Sequence, residues 1–178
     1  MKRIFIGMLL VFLNFNLDIG AARIGLIPTF IGYIFLVIGL GELIGFSPWF
    51  SKVMPFAKVM VVCSGILYGM DLFGITARLG VLVAVILGFG LNLIGLYISY
   101  GIVVGIKDIE TTKGQDLNAG SLYRAWKLLA IFSIMAYLLL PILVLAAFSV
   151  IASFVVGIYY LYVLNKTRNL FYLQNLEG

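Results

Sequence analysis

The stretch Leu79–Ile106, LGVLVAVILGFGLNLIGLYISYGIVVGI, decides the fold: it runs for 28 residues without a charge. A segment of that length and polarity is a membrane-spanning helix, since about 20 apolar residues cross the hydrocarbon core. At about 1.5 Å per residue it exceeds that core, so it tilts or projects. Its one strongly polar residue is Asn92, near the middle. An amide at that depth bonds across a helix interface or lines a midplane site.

Working outward, the chain repeats this theme. Leu26–Phe46 is a second span, broken only by Glu42. Phe56–Ile75 is a third, broken by Lys58 and Asp71. Leu128–Leu164 is 37 uncharged residues, too long for one span. It reads as two helices turning near Pro141–Ala147. Ile4–Leu17 is a shorter segment with Asn14, Asn16 and Asp18 at its far end. It reads as a first span, as a re-entrant segment, or as a signal peptide with a cleavage site at Gly20-Ala21-Ala22. The expected fold is all-α: a bundle of six transmembrane helices, or five if the first segment does not span.

Composition agrees. The 178 residues are 63% hydrophobic and 11% charged, with a mean hydropathy of +1.18. Soluble domains average roughly 45–50% apolar and about 25% charged. One transmembrane domain accounts for residues 1–178, with the lipid bilayer as its first partner. The net charge of +5 is scattered through short polar gaps, which reads as topology signal and not as nucleic-acid binding. The chain has no histidine, so it offers no His base and no His-ligated metal. No cofactor and no enzyme activity are expected. The single cysteine, Cys63, lies in an apolar run and reads as a buried, inert thiol.

Charge placement orients the bundle. With six spans and the N-terminus inside, ten Lys and Arg residues fall on the cytoplasmic side, and only Arg23 and Arg78 fall outside. That is a positive-inside bias, with both termini cytoplasmic in a cell membrane. Trp49, Tyr123, Trp126, Tyr159, Tyr160 and Tyr162 gather near the same side, as an aromatic belt does. The one hydrophilic loop, residues 107–121, is a connector or a docking loop for a membrane partner protein.

Ala22-Arg23-Ile24-Gly25 matches Ala77-Arg78-Leu79-Gly80, and Asp18 and Asp71 precede the two copies. Residues 1–55 and 56–106 therefore read as a possible tandem hairpin repeat, a transporter device, with 122–165 as a C-terminal hairpin. Pairs of small residues, Gly41/Gly45, Gly65/Gly69, Gly101/Gly105 and Ser153/Gly157, allow close helix approach. Homo-oligomer formation through such faces is one expectation.

Charges within apolar stretches are expensive and are paired or functional. Asp18 and Asp71 stand near Arg23 and Arg78. Two local ion pairs tying off the hairpins are one reading. The other is an outward-facing ligand pocket built from Asn14, Asp18, Arg23, Tyr68, Asp71 and Arg78, with Asn14 and Asp18 one helical turn apart. Glu42 snorkels toward Lys52 or Lys58, or couples to a proton. Asn92 and Glu42 are the midplane or coupling candidates.

The segment Leu26-Ile27-Pro28-Thr29-Phe30-Ile31-Gly32-Tyr33-Ile34, followed by Gly39-Leu40, resembles small multi-pass membrane proteins of Gram-positive bacteria with a Leu-Pro-Asp-Phe-Ile-Gly-Tyr segment. Thr29 stands where those carry aspartate. The resemblance implies a bacterial membrane protein and brings no activity with it. In length and helix count the chain is also similar to the substrate-binding membrane subunits of energy-coupling-factor vitamin transporters. The leading expectation is binding or transport of a small solute, alone or as a transporter's membrane subunit. The alternative is a structural or regulatory membrane protein acting through a partner.

Overall fold

The computed structural model describes residues 1–12, 16–19, 22–25, 28–78 and 80–176. Among them are six α-helices: α1 (Lys2–Phe12), α2 (Thr29–Leu43), α3 (Pro48–Leu72), α4 (Val81–Lys113), α5 (Ala119–Leu138) and α6 (Leu143–Leu176). Each packs on its neighbour in chain order, and α6 returns to α1, so the bundle closes on itself. Three helices are long and apolar enough to cross a membrane: α3, α4 and α6. The helix α5 has the length, at about 30 Å, but Arg124 and Lys127 lie in its first half.

The first hairpin departs from expectation. With 11 and 15 residues, α1 and α2 are about 16 and 22 Å long, short of a hydrocarbon core of about 30 Å. Between them lies an antiparallel ribbon, β1 (Asn16–Ile19) and β2 (Ala22–Gly25), and β2 packs on α3. Apart from this turn the described elements are helical, as the all-α expectation has it. Asn16 and Asp18 are weak helix formers, and the β-branched Ile19 and Ile24 favour extended backbone. The two sequence-matched stretches also differ in shape: Ala22–Gly25 is a strand, whereas Thr76–Arg78 is a 3-10 turn.

Glycines set how closely α1 and α2 approach. A Cβ on Gly7 would stand 2.7 Å from the Gly32 carbonyl oxygen, and one on Gly39 would stand 2.7 Å from the Ile4 nitrogen. These contacts bring backbone against backbone, which only glycine permits. They align Ile4, Leu36 and Leu40, which are fully buried. Farther round, Gly101 and Gly105 receive Val53 and Phe50, and Gly157 receives Phe12. Gly41 meets only the tip of Met54, at 3.5 Å, and Gly45, Gly65 and Gly69 meet nothing within 4 Å, so the small-residue pairs 41/45 and 65/69 make no close helix crossing.

Local chemistry fixes the other boundaries. Ser47 caps α3 by accepting a hydrogen bond from the Trp49 N–H at 3.3 Å, and its hydroxyl donates to Asp108 at 2.6 Å. Pro48 takes the first helical position, where its missing N–H costs nothing. The α5–α6 turn comes earlier than expected, at residues 139–142, because Pro141 has no N–H to extend α5. The hydrophilic loop is also shorter than expected. Helix α4 continues to Lys113 and stops at Gly114, whose φ is 64°. The remainder is tied down: the Ala119 N–H donates to Glu110 at 2.9 Å, and Gln174 donates to the Asp116 carbonyl at 3.3 Å.

The two halves of the bundle differ in packing. The fully buried side chains Ile4, Phe50, Leu40, Ile102, Ile106 and Leu122 all lie in the half that holds both chain ends. There the Lys2 N–H donates to the Tyr172 hydroxyl at 3.2 Å. Toward the other end, large apolar side chains such as Val62, Ile66, Leu82, Ile86, Phe148 and Ile151 are exposed. Apolar surface of this kind suits lipid and not water. The aromatic belt is partly a core feature: Tyr160 is fully buried, and the Trp126 indole donates to the Leu96 carbonyl at 3.2 Å. Cys63 is half-buried, not buried as expected.

Candidate functional site

The half of the bundle away from the chain ends holds open space between its helices. A cavity of about 470 Å³ opens there between α1, α2, α3 and α4. Its polar lining is Thr29, Tyr33, Ser64, Tyr68, Asp71 and Asn92. A second space of about 200 Å³ runs deeper, past Met8, Leu36 and Ser99. A third, of about 240 Å³, lies toward α5 and α6, with Ser133, Tyr137 and Ser153. Asn92 lines all three. Beyond the second space, the buried apolar layer closes the bundle.

Helix α4 makes this room by its spacing. Gly88, Asn92 and Gly95 fall on one face, four and three residues apart. A Cβ at Gly95 would stand 3.4 Å from the Tyr33 hydroxyl, and one at Gly88 would stand 3.2 Å from the Tyr137 hydroxyl. The two glycines therefore admit two tyrosine hydroxyls on either side of the Asn92 amide. Helix α3 supplies Ser64, Tyr68 and Asp71 at similar spacing. Tyr68 is oriented by an edge-on contact with Phe30, with ring centroids 5.7 Å apart. Ser64 spends its hydroxyl on the Met60 carbonyl, one turn back.

Of the residues singled out from the sequence, Tyr68, Asp71 and Asn92 come together in this cavity. Asp71 accepts a hydrogen bond from Thr76, and among the described residues no cation lies within ion-pair distance of it. The expected Asp71–Arg78 pair is not formed. Arg78 is exposed and lies outside the lining. Asp18 and Arg23 are Cα partners across the ribbon, so Asp18 lies on a strand and not on a helix. Asn14 lies outside the described residues.

Glu42 is not directed at Lys52 or Lys58. Its carboxylate meets Arg3 at 2.6 Å, with both side chains about half exposed. The antiparallel register of α1 and α2 brings them together. An exposed pair of this kind contributes about 0–1 kcal/mol. It lies at the end of the bundle holding the chain ends, away from Asn92.

The residues missed in the sequence are Thr29, Tyr33, Ser64 and Ser133. Hydroxyls are ordinary in membrane helices, so single ones gave no signal. The Gly88–Asn92–Gly95 spacing was legible and would have pointed to the face that carries the cavity. Among the described residues no group of three or more His, Cys, Asp or Glu side chains is placed to hold a metal ion. No protein family, no curated protein and no solved structure matches the chain.

Proposed function

We propose that the chain is a small, non-enzymatic integral membrane protein that binds a polar solute in the cavity around Asn92. In this reading it works alone as a carrier or as the membrane subunit of a transporter. The observation that carries the reading is the 470 Å³ cavity, which places a carboxylate, an amide and several hydroxyls inside an otherwise apolar bundle. Polar groups at such depth are costly unless they serve a ligand or each other. Few of these serve each other. Two short helices ending beside the cavity add support, since interrupted helices commonly build solute sites at membrane depth.

The proposed topology has both termini in the cytoplasm, six helices in or across the bilayer, and the cavity open to the opposite side. The ten-to-two division of basic residues supports it, as does the adjacency of Lys2 and Tyr172. Reporter fusions after Lys52, Lys113 and Arg168 are expected to report cytoplasm, and one after Arg78 the opposite side. An external signal from the Lys113 fusion would reverse the orientation and put the cavity mouth in the cytoplasm.

Solute binding is tested by thermal shift on the purified protein, because a ligand that binds only the folded state raises its apparent stability by mass action. A screen of amino acids, vitamins and nucleobases is expected to give at least one saturable shift. A flat screen, together with a copurifying protein, would favour the rival reading of a partner-dependent regulatory protein.

A further inference from the structure

Two features of opposite polarity face the same cavity. The first is the start of α2. Pro28 stands at its N-cap position with no side-chain cap, and Pro28 and Thr29 both line the space. The Ile31 N–H donates to the Pro28 carbonyl at 3.0 Å, which leaves the Thr29 and Phe30 N–H groups at the positive end of the helix dipole. The second is Asp71, which lies near the C-terminal end of α3, where that helix's own dipole is unfavourable to a carboxylate. Among the described residues no Lys or Arg lines the cavity. Tyr33, only 4% exposed, lines both this space and the deeper one, and its hydroxyl has no hydrogen-bond partner among the described residues. A hydroxyl that opens onto a cavity from a buried side chain is free to bond a ligand atom.

From this juxtaposition we infer that the solute is a zwitterion of the amino-acid type. Its carboxylate meets the N–H groups at the start of α2 and the Tyr33 hydroxyl. Its ammonium meets Asp71. Its apolar body packs against Val11, Met60, Leu67 and Leu91, which line the same space. The inference rests on the solute-binding reading above and deepens it. A neutral solute would leave Asp71 desolvated without a counter-charge, and a simple anion would be repelled by it. A single carboxylate is too few hard ligands for a divalent cation. A zwitterion answers both walls with no net charge taken into low dielectric.

The test uses the purified wild-type protein and three matched probes: leucine, 4-methylpentanoate and 3-methylbutylamine. These share one apolar body and carry both charges, the anion alone or the cation alone. Phenylalanine and methionine vary the body. At least one of the three amino acids is expected to bind, at least about tenfold more tightly than either singly charged analogue, because each lost charge forfeits a charge-assisted hydrogen bond. Asp71→Asn should lower amino-acid affinity by about tenfold or more and narrow the gap to the anion, whose repulsion it removes. Binding of either singly charged probe as tight as leucine's would overturn the zwitterion while leaving a solute site. So would a saturable shift from a neutral vitamin or nucleobase with none from any amino acid. A flat response to the whole wider screen would remove the solute reading and this inference together. The wild-type comparison decides the matter even if the Asp71 variant fails to fold.

Discussion

Gly7→Ala is expected to lower the melting temperature sharply or prevent folding, while Gly69→Ala is expected to be neutral or mildly stabilising. The two substitutions add the same methyl group, and both glycines lie within helices. At Gly7 the new Cβ would stand 2.7 Å from the Gly32 carbonyl oxygen and 2.8 Å from the Leu36 nitrogen. Both are backbone atoms, which cannot swing aside as a side-chain tip can. To make room, α1 must move off α2, opening contacts along the layer of Ile4, Leu36 and Leu40. Overpacking costs about 1–3 kcal/mol, and here the upper end or more applies. For a chain of this size each kcal/mol is worth about 2–4 °C. At Gly69 nothing stands within 4 Å, and alanine is the better helix former by about 0.8–1 kcal/mol. Gly39→Ala should behave like Gly7→Ala, since its Cβ would meet the Ile4 backbone. Equal melting temperatures for the Gly7 and Gly69 variants in detergent would show that the glycine crossing does not hold the first hairpin.

That contrast also explains what could and could not be read from the sequence. Hydropathy reports how much hydrocarbon a segment carries, so it placed both ends of α2 closely but missed the polar turns that begin α3 and α5 and that end α4 and α6. It says nothing about which face of a helix meets another. Gly65 and Gly69 carry the same spacing as Gly101 and Gly105, yet only the second pair is packed, against Val53 and Phe50. The pairing of Glu42 with Arg3 was hidden for a related reason. It depends on the register of α1 against α2, which Gly7, Gly32 and Gly39 set through backbone contact. The length of α4 was underestimated because Lys107, Asp108 and Glu110 look like a loop, although a helix leaving the bilayer tolerates charge freely. The polar cluster was legible in part. Tyr68 and Asp71 lie one turn apart on one helix, so local spacing sufficed. Their meeting with Asn92 and Tyr33 is a tertiary fact with no local trace.

Asn92→Leu is expected to leave the protein as stable as before, or more so, and nearly to abolish its ligand-induced stabilisation. The side chains are close in size, so packing changes little. The amide lines all three spaces and has no hydrogen-bond partner among the described residues. Because the amide bonds no other described residue, leucine gives up no contact within the fold. Function, by contrast, suffers. A solute in the 470 Å³ space replaces water on Asn92, and leucine offers it no hydrogen bond in exchange. Losing such contacts to a charged group costs about 1.5–3 kcal/mol, or about 10- to 100-fold in affinity. With ligand at about 100 times the wild-type dissociation constant, stabilisation is about 2.7 kcal/mol. After a loss of about 100-fold it falls to about 0.4 kcal/mol by the same relation. The measurement is a pair of melting curves, with and without ligand, for each protein. Opposite signs, with the unliganded melting temperature held or raised and the shift lost, identify Asn92 as a binding group. A fall in unliganded stability would instead make the amide part of the scaffold, holding helices together and not a solute.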